Sequence, residues 1–171
     1  MSHPFNAHFA QLARYNAWAT ARLLDAVAHV PDADYRRDAG LFFRSIHGTL
    51  NHLLVGDSVW MGRFQGPVFV PSSLAQELHA DFGELRRARE AMDQRILDWV
   101  ANLTDAVLAS ELQYTSIVNP QPRRMPMGLA AAHFFNHQTH HRGQVTTLLS
   151  QCGIDPGITD LLWMAQEDGS S

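Results

Sequence analysis

Apolar residues recur three and four apart along four long stretches of this chain, a spacing that predicts four helices. The first stretch, "PFNAHFAQLARYNAWATARLLDAVAHVP", carries Phe5, Phe9, Leu12, Asn16, Leu23, Leu24 and Val27 on one face, and Pro31 stops it. The second runs from about Leu41 to Phe64 and is apolar on most sides, as a helix buried among others must be. Its two glycines, Gly48 and Gly56, suit close helix packing. "PVFVPSS" then reads as an extended linker. Ser73, with Gln76 at capping-box spacing, is expected to start the third helix, with Leu74, Leu78, Phe82, Leu85, Met92, Ile96, Trp99 and Val100 facing inward. From Asn102 the period loosens, and "LQYTSIVNPQPRRMPM" reads as two short extended segments around an Asn-Pro turn. The fourth helix is expected from about Met127 to Gln151, with Gly153 as the residue that ends it. A short last helix follows, around Thr159 to Gln166.

Four amphipathic stretches and little strand signal predict an all-α fold. The expected architecture is a four-helix bundle in one domain, residues 1–171, with connections long enough for crossover topology. A short hairpin-like excursion precedes the fourth helix.

Composition removes several function classes. All thirteen basic residues are arginine, so a catalytic Schiff-base lysine and a phosphate-binding P-loop are excluded. The arginines fall in scattered pairs within a chain of net charge −4, which argues against a nucleic-acid partner. No apolar run reaches membrane-spanning length and no signal-peptide pattern opens the chain, so no membrane partner is expected. The single cysteine, Cys152, cannot form an internal disulfide, which suits a reducing cytoplasm; as a nucleophile it is a weak candidate beside its reading as a small packing residue.

Ten histidines are the unusual surplus. His3, His8, His29 and His79 fall near helix ends or on polar faces and are expected to be solvated. His137 and His141 lie four apart, one turn above each other, on a face shared with Phe134, Val145 and Leu148. Two imidazoles stacked in an apolar core with no acid beside them are costly unless something binds them, and a metal ion is the natural candidate. His133 continues the series. It stands about 12 Å from His141 along the axis, too far for one ion to take both, so it is expected to pack or support. His140 points to a flank. The third ligand must come from another helix, where His47 and His52 lie about 140° apart around the axis. Periodicity leaves that choice open, leaning slightly to His47.

"NHQTHHRGQV" resembles the closing signature of the DinB-like family, which includes the YfiT-like thiol transferases. The resemblance extends to "YNAWATARLL", "TLNHLLVGDSVWMGRF" and "DLLWM", and so to almost the whole chain. It implies a four-helix bundle holding a divalent metal on three histidines, which by motif are His52, His137 and His141. It also implies a homodimer, and through its thiol-dependent relatives a small thiol and a small electrophilic substrate as partners.

Three neutral histidines leave a position open on zinc, nickel, manganese or iron(II), as a catalytic site requires. Such an ion can activate water for hydrolysis or hold a thiol as thiolate. No glutamate accompanies the paired histidines, and the Glu-x-x-His pairs of di-iron bundles do not occur. The polar candidates are Gln144, three beyond His141 and able to orient it; Asn16; and Asp57, expected to be structural. Arg142 is read either as an anion-binding residue for a substrate carboxylate or as the buried partner of an acid such as Asp160. The expected function is that of a metal-dependent low-molecular-weight-thiol S-transferase or hydrolase. The alternative is a non-catalytic metal-binding or stress-response protein. A site sealed by Phe134 or Trp60 would exclude the enzyme.

Overall fold

A computed structural model describes residues 5–117, 119–167 and 169; His3 lies outside the described residues. The chain is mostly helical. Its long helices are α1 (Phe5–Val27), α3 (Ile46–Gln65), α4 (Phe82–Ala101) and α6 (Met127–Gln151). Short helices α2 (Asp32–Arg36), α5 (Asp105–Leu108) and α7 (Leu161–Glu167) lie between or after them. The one sheet among the described residues is a hairpin in which β1 (Glu111–Thr115) pairs antiparallel with β2 (Pro122–Pro126).

The long helices pack α1 against α4 and α6, and α3 against the same two. Around the core the order is therefore α1, α4, α3, α6. Steps from α1 to α3 and from α4 to α6 cross the core diagonally, and those steps carry the links that hold α2 and, in the second case, α5 and the hairpin. Long links are needed because a tight turn joins only adjacent antiparallel helices.

The helix starts follow their caps. Ser45 accepts from the Gly48 N–H at 3.0 Å and caps α3, which starts at Ile46, five residues later than the apolar pattern suggests. The third long helix departs further from expectation. Ser73 does not cap it; Asp81 does, accepting from the Glu84 N–H at 2.8 Å. Gln76 instead turns back on Ser72, accepting from its N–H at 2.7 Å and its hydroxyl at 3.1 Å. Leu74 and Leu78 thus lie in a loop, residues 67–81, rather than on a helix stripe. Helix α1 ends at Val27, before Pro31, and neither α2 nor α5 was apparent in the apolar pattern. Helix α6 has the expected bounds, and Gly153 follows its cap with φ of 75°.

Burial divides the interior into three layers. One apolar cluster joins Phe9, Ala13, Met61, Ile96, Trp99 and Phe134. Another, towards the opposite end, joins Leu23, Leu50, Leu53, Leu85, Val145 and Leu149. Between them, each long helix contributes buried polar side chains: Asn16, Asp57, Arg89 with Asp93, and Gln138 with Arg142. No described helix is long and apolar enough to cross a membrane.

Candidate metal centre

Helices α3 and α6 face each other at the level of the polar layer, and there His52, His137 and His141 converge. The His137 Nε2 stands 3.2 Å from His52 Nε2 and 3.1 Å from His141 Nε2, and the three ligand atoms all lie within 4.8 Å of one another. Nitrogens bound at about 2.05 Å to one tetrahedral ion stand about 3.3 Å apart, so this spacing fits a shared cation.

The hydrogen bonds behind the rings make the same point. His52 Nδ1 lies 2.8 Å from the Leu74 carbonyl oxygen, which can only accept, so the proton sits on Nδ1 and Nε2 keeps its lone pair. His141 Nδ1 lies 2.8 Å from Gln144 Oε1 and is fixed in the same tautomer. Both lone pairs face His137 Nε2, which carries one proton at most. At least one pair therefore meets with no proton between, an arrangement that a cation resolves.

Burial keeps all three imidazoles neutral. It pushes His137 down to about 3, helped by the neighbouring imidazoles, and His52 down to about 4 against the Leu74 hydrogen bond. His141 is lowered for the same reason, with the Gln144 bond opposing. Neutral imidazole is the form that ligates.

Local packing seats each ring. Phe43 stacks on His52 with centroids 3.5 Å apart and planes at 13°. Gly56 gives His137 room, since a Cβ there would lie 3.2 Å from His137 Cε1. Asn51 holds the loop that supplies the Leu74 carbonyl. Its Oδ1 accepts from the Leu78 and His79 N–H groups at 2.8 and 3.0 Å, and its Nδ2 donates to the His79 carbonyl at 3.1 Å. Of these supports, sequence reading named only Gln144. The sole signal for Asn51 was an amide placed beside a histidine in an otherwise apolar helix.

His47, which periodicity slightly preferred, turns away from the cluster. Its Nδ1 meets the Tyr35 hydroxyl at 3.0 Å and its Nε2 meets Glu77 Oε1 at 2.5 Å. His140 is exposed and contacts Gln144, while His133 packs against Trp60, with centroids 5.1 Å apart.

Beneath the cluster, the polar side chains bond mainly to one another, with Arg89 Nε buried and without a hydrogen-bond partner among the described residues. Gln138 and Arg89 both donate to Asp57. Arg89 also reaches Asp93 at 2.9 Å, and Asn16 Nδ2 donates to the same carboxylate at 3.0 Å. Burial lifts the Asp57 carboxyl to about 6, against the pull of the Arg89 guanidinium. Arg142 donates to Asn16 Oδ1 and, at 3.3 Å, to Thr139 Oγ1. It is buried, also interacts with Tyr15, and lines a small cleft that Asp160 shares. Asn16 and Arg142 are thus parts of the interior layer, and neither lines the cavity beside the ligands.

A cavity of about 230 Å³ opens beside the histidines, lined among others by His52, His137, Trp60, Arg63, Tyr114 and His133. Trp60 lines it, whereas Phe134 lies in the core and is not among its lining residues. Among the described residues, no Asp or Glu lines it.

Comparison with known proteins agrees with this layout. The DinB family model matches residues 1–169. The chain is also 25% identical over 159 residues to the protein DinB of Bacillus subtilis (strain 168), a match covering 88% of this chain and 89% of that one. A family match running through all four long helices and both histidine-bearing segments places this chain in the DinB family.

Proposed function

We propose that this chain is a metal-dependent enzyme built on a four-helix bundle with crossover connections. In this reading His52, His137 and His141 hold one divalent ion, and the reaction is transfer of a small thiol to an electrophile or hydrolysis. The observation that carries it is the convergence of three Nε2 atoms, two with their Nδ1 protons committed to oxygen acceptors, beside a cavity of about 230 Å³. Zinc, nickel, manganese and iron(II) all suit such a donor set. When bound, the ion would supply Lewis acidity at an open position.

The chain's own residues have separable roles. The neutral trio keeps its lone pairs free of protons at neutral pH. His133, also lowered by burial, lines the cavity as a neutral imidazole and can accept a proton from a substrate thiol or water. Trp60 and Tyr114 exclude water from the cavity wall. The lack of a lining carboxylate favours thiol chemistry over hydrolysis, since a thiol gives up its proton more readily than water does. The same lack supports the second reading, a non-catalytic metal-binding protein. A cytoplasmic location and a homodimer belong to the proposal. Exposed Phe5 and Leu129, near the starts of α1 and α6, offer an apolar patch for a second copy.

Metal analysis of untagged protein tests the site. His52→Ala is expected to abolish stoichiometric binding and His47→Ala to retain it; loss in the His47 variant alone would overturn the ligand assignment. A screen of small thiols and electrophiles, with and without chelator, then separates the enzyme from the passive metal binder.

A further inference from the structure

Arg63 occupies an unusual place for a cation. It sits on the face of α3 that also carries His52, Gly56 and Trp60, and its guanidinium carbon lies 4.5 Å from the Trp60 ring centroid and 4.2 Å from that of Tyr114. Stacking of this kind uses the faces of a guanidinium and leaves its in-plane N–H groups for other partners. One of them donates to the Thr115 carbonyl at 3.4 Å, and no carboxylate pairs with Arg63 among the described residues. The other arginines of the interior, Arg89 and Arg142, are themselves buried and donate within the polar layer, to Asp57 and Asp93 and to Asn16 and Thr139. Arg63 instead lines two cavities at once. One is the 230 Å³ space beside the histidines; the other is a neighbouring space of about 560 Å³ between the hairpin and the loop at Val68 and Val70. Neither has an Asp or Glu among its lining residues.

We propose that Arg63 selects the substrate of this site, binding the anionic head group, best a carboxylate, of an organic acid whose other end reacts beside His52, His137 and His141. The inference rests on the metal reading above for where the reacting end lies. The planar fork of a stacked guanidinium matches a carboxylate in two parallel hydrogen bonds, and partial burial of the pair strengthens them relative to water. The described lining of the groove is otherwise neutral, with His133 beside Trp60, so an anion meets no opposing charge along it. Its walls are largely apolar, with Val59, Trp60, Leu74 and Ile117 in the inner part. The stem between head and reacting group should therefore be apolar. Eleven residues of helix separate His52 from Arg63, about 16 Å along the axis. Side chains lean towards a helix N-terminus, which brings the Arg63 guanidinium back towards His52 and leaves a span on the order of 10 Å. A head group six to eight bonds from the reacting atom fits that span; a two- or three-carbon acid does not.

The test compares 6-mercaptohexanoate with 6-mercapto-1-hexanol on zinc-loaded protein, with dissociation constants from calorimetry. Wild type is expected to bind the acid at least tenfold more tightly than the alcohol. Arg63→Gln should remove that preference while keeping affinity for the alcohol within about twofold, and Arg63→Lys should keep part of it. A parallel comparison of heptanoate with 1-heptanol on chelator-treated protein, followed through the Trp60 indole N–H resonance, should show the same loss in Arg63→Gln. Absence of any preference in wild type would overturn the proposal. So would a preference that survives in Arg63→Gln, or an equal weakening of both probes, which would mark Arg63 as a packing group for the hairpin. Zinc stoichiometry is measured separately. If zinc fails to bind, the metal reading falls, and the heptanoate comparison still decides the role of Arg63.

Discussion

At the scale of single residues, the centre depends on what is small as much as on what ligates. A Cβ at position 56 would meet His137 Cε1 at 3.2 Å and Nδ1 at 3.7 Å, close enough that the ring must shift by a few tenths of an ångström. Gly56→Ala is therefore expected to act on the metal and the fold in opposite directions. Alanine favours a helix interior over glycine by about 1 kcal/mol, so the metal-free protein should be as stable as wild type or slightly more so. Displacing a ligand ring from its geometry should lower metal affinity by roughly 10- to 100-fold, the range seen when groups that orient ligands are lost. Urea denaturation of the chelated protein and a competition titration with a metal indicator read the two effects separately. A fall in both would mean that the glycine serves helix packing alone.

At the scale of elements, the pairing of His137 with His141 was legible from their spacing, and the start and end of α6 from its apolar run and Gly153. The choice of His52 was not. Helix α3 is buried on nearly every side, so periodicity carries little information about which face meets α6; only the family motif separated His52 from His47. The loop at residues 67–81 was read correctly as extended up to Ser73, but its later part, residues 74–81, was expected to be helical because Ser73 and Gln76 have capping-box spacing. Spacing cannot reveal that Asn51, distant in sequence, holds that loop against α3. Spacing left Arg142 open between an anion-binding role and a buried pairing; it lies in the buried layer, and the arginine that lines the cavity is Arg63. That difference depends on the hairpin folding back over α3, a long-range contact with no local signature. The loop's role gives a prediction of its own. Asn51→Leu removes the acceptor of the Leu78 and His79 N–H groups, so the loop should detach and take the Leu74 carbonyl from His52. Metal affinity should fall by roughly 10- to 100-fold. Cleavage within residues 67–81 by a protease at low concentration should rise sharply, with the helical circular dichroism unchanged. Unaltered cleavage would show that the loop is held by other contacts.

At the scale of the whole molecule, the polar layer makes the four long helices depend on one another at the level of the metal centre. Two arginines and two aspartates balance there, and each helix supplies at least one member. Replacing such a layer with well-packed apolar side chains could cost little, because desolvating the charges offsets much of their attraction. Removing one member is a different matter. Arg89 bonds both Asp57 and Asp93, and its loss would leave two buried carboxylates without a cation between them. Arg89→Met should therefore destabilise the protein by about 3–5 kcal/mol at neutral pH, the range for breaking a buried ion pair. The sign of its pH dependence follows from the carboxylates. Burial already raises the pKa of both above the ordinary range, and removing the guanidinium that opposes this should raise them further. A group whose folded pKa lies above its unfolded value destabilises the fold once pH exceeds the unfolded value, so the variant should regain stability as pH falls from 7 towards about 4. Adding Asp57→Asn and Asp93→Asn to Arg89→Met should recover part of the loss and flatten that dependence, because the buried charges are then gone from both sides. Urea denaturation of wild type, the single variant and the triple variant across this pH range measures each step. If the single variant is as stable as wild type at pH 7, the layer does not hold its charges in the folded protein. The four helices would then be joined by their apolar clusters alone, and His137, next to Gln138 of that layer, would owe its position to α6 rather than to the network beneath it.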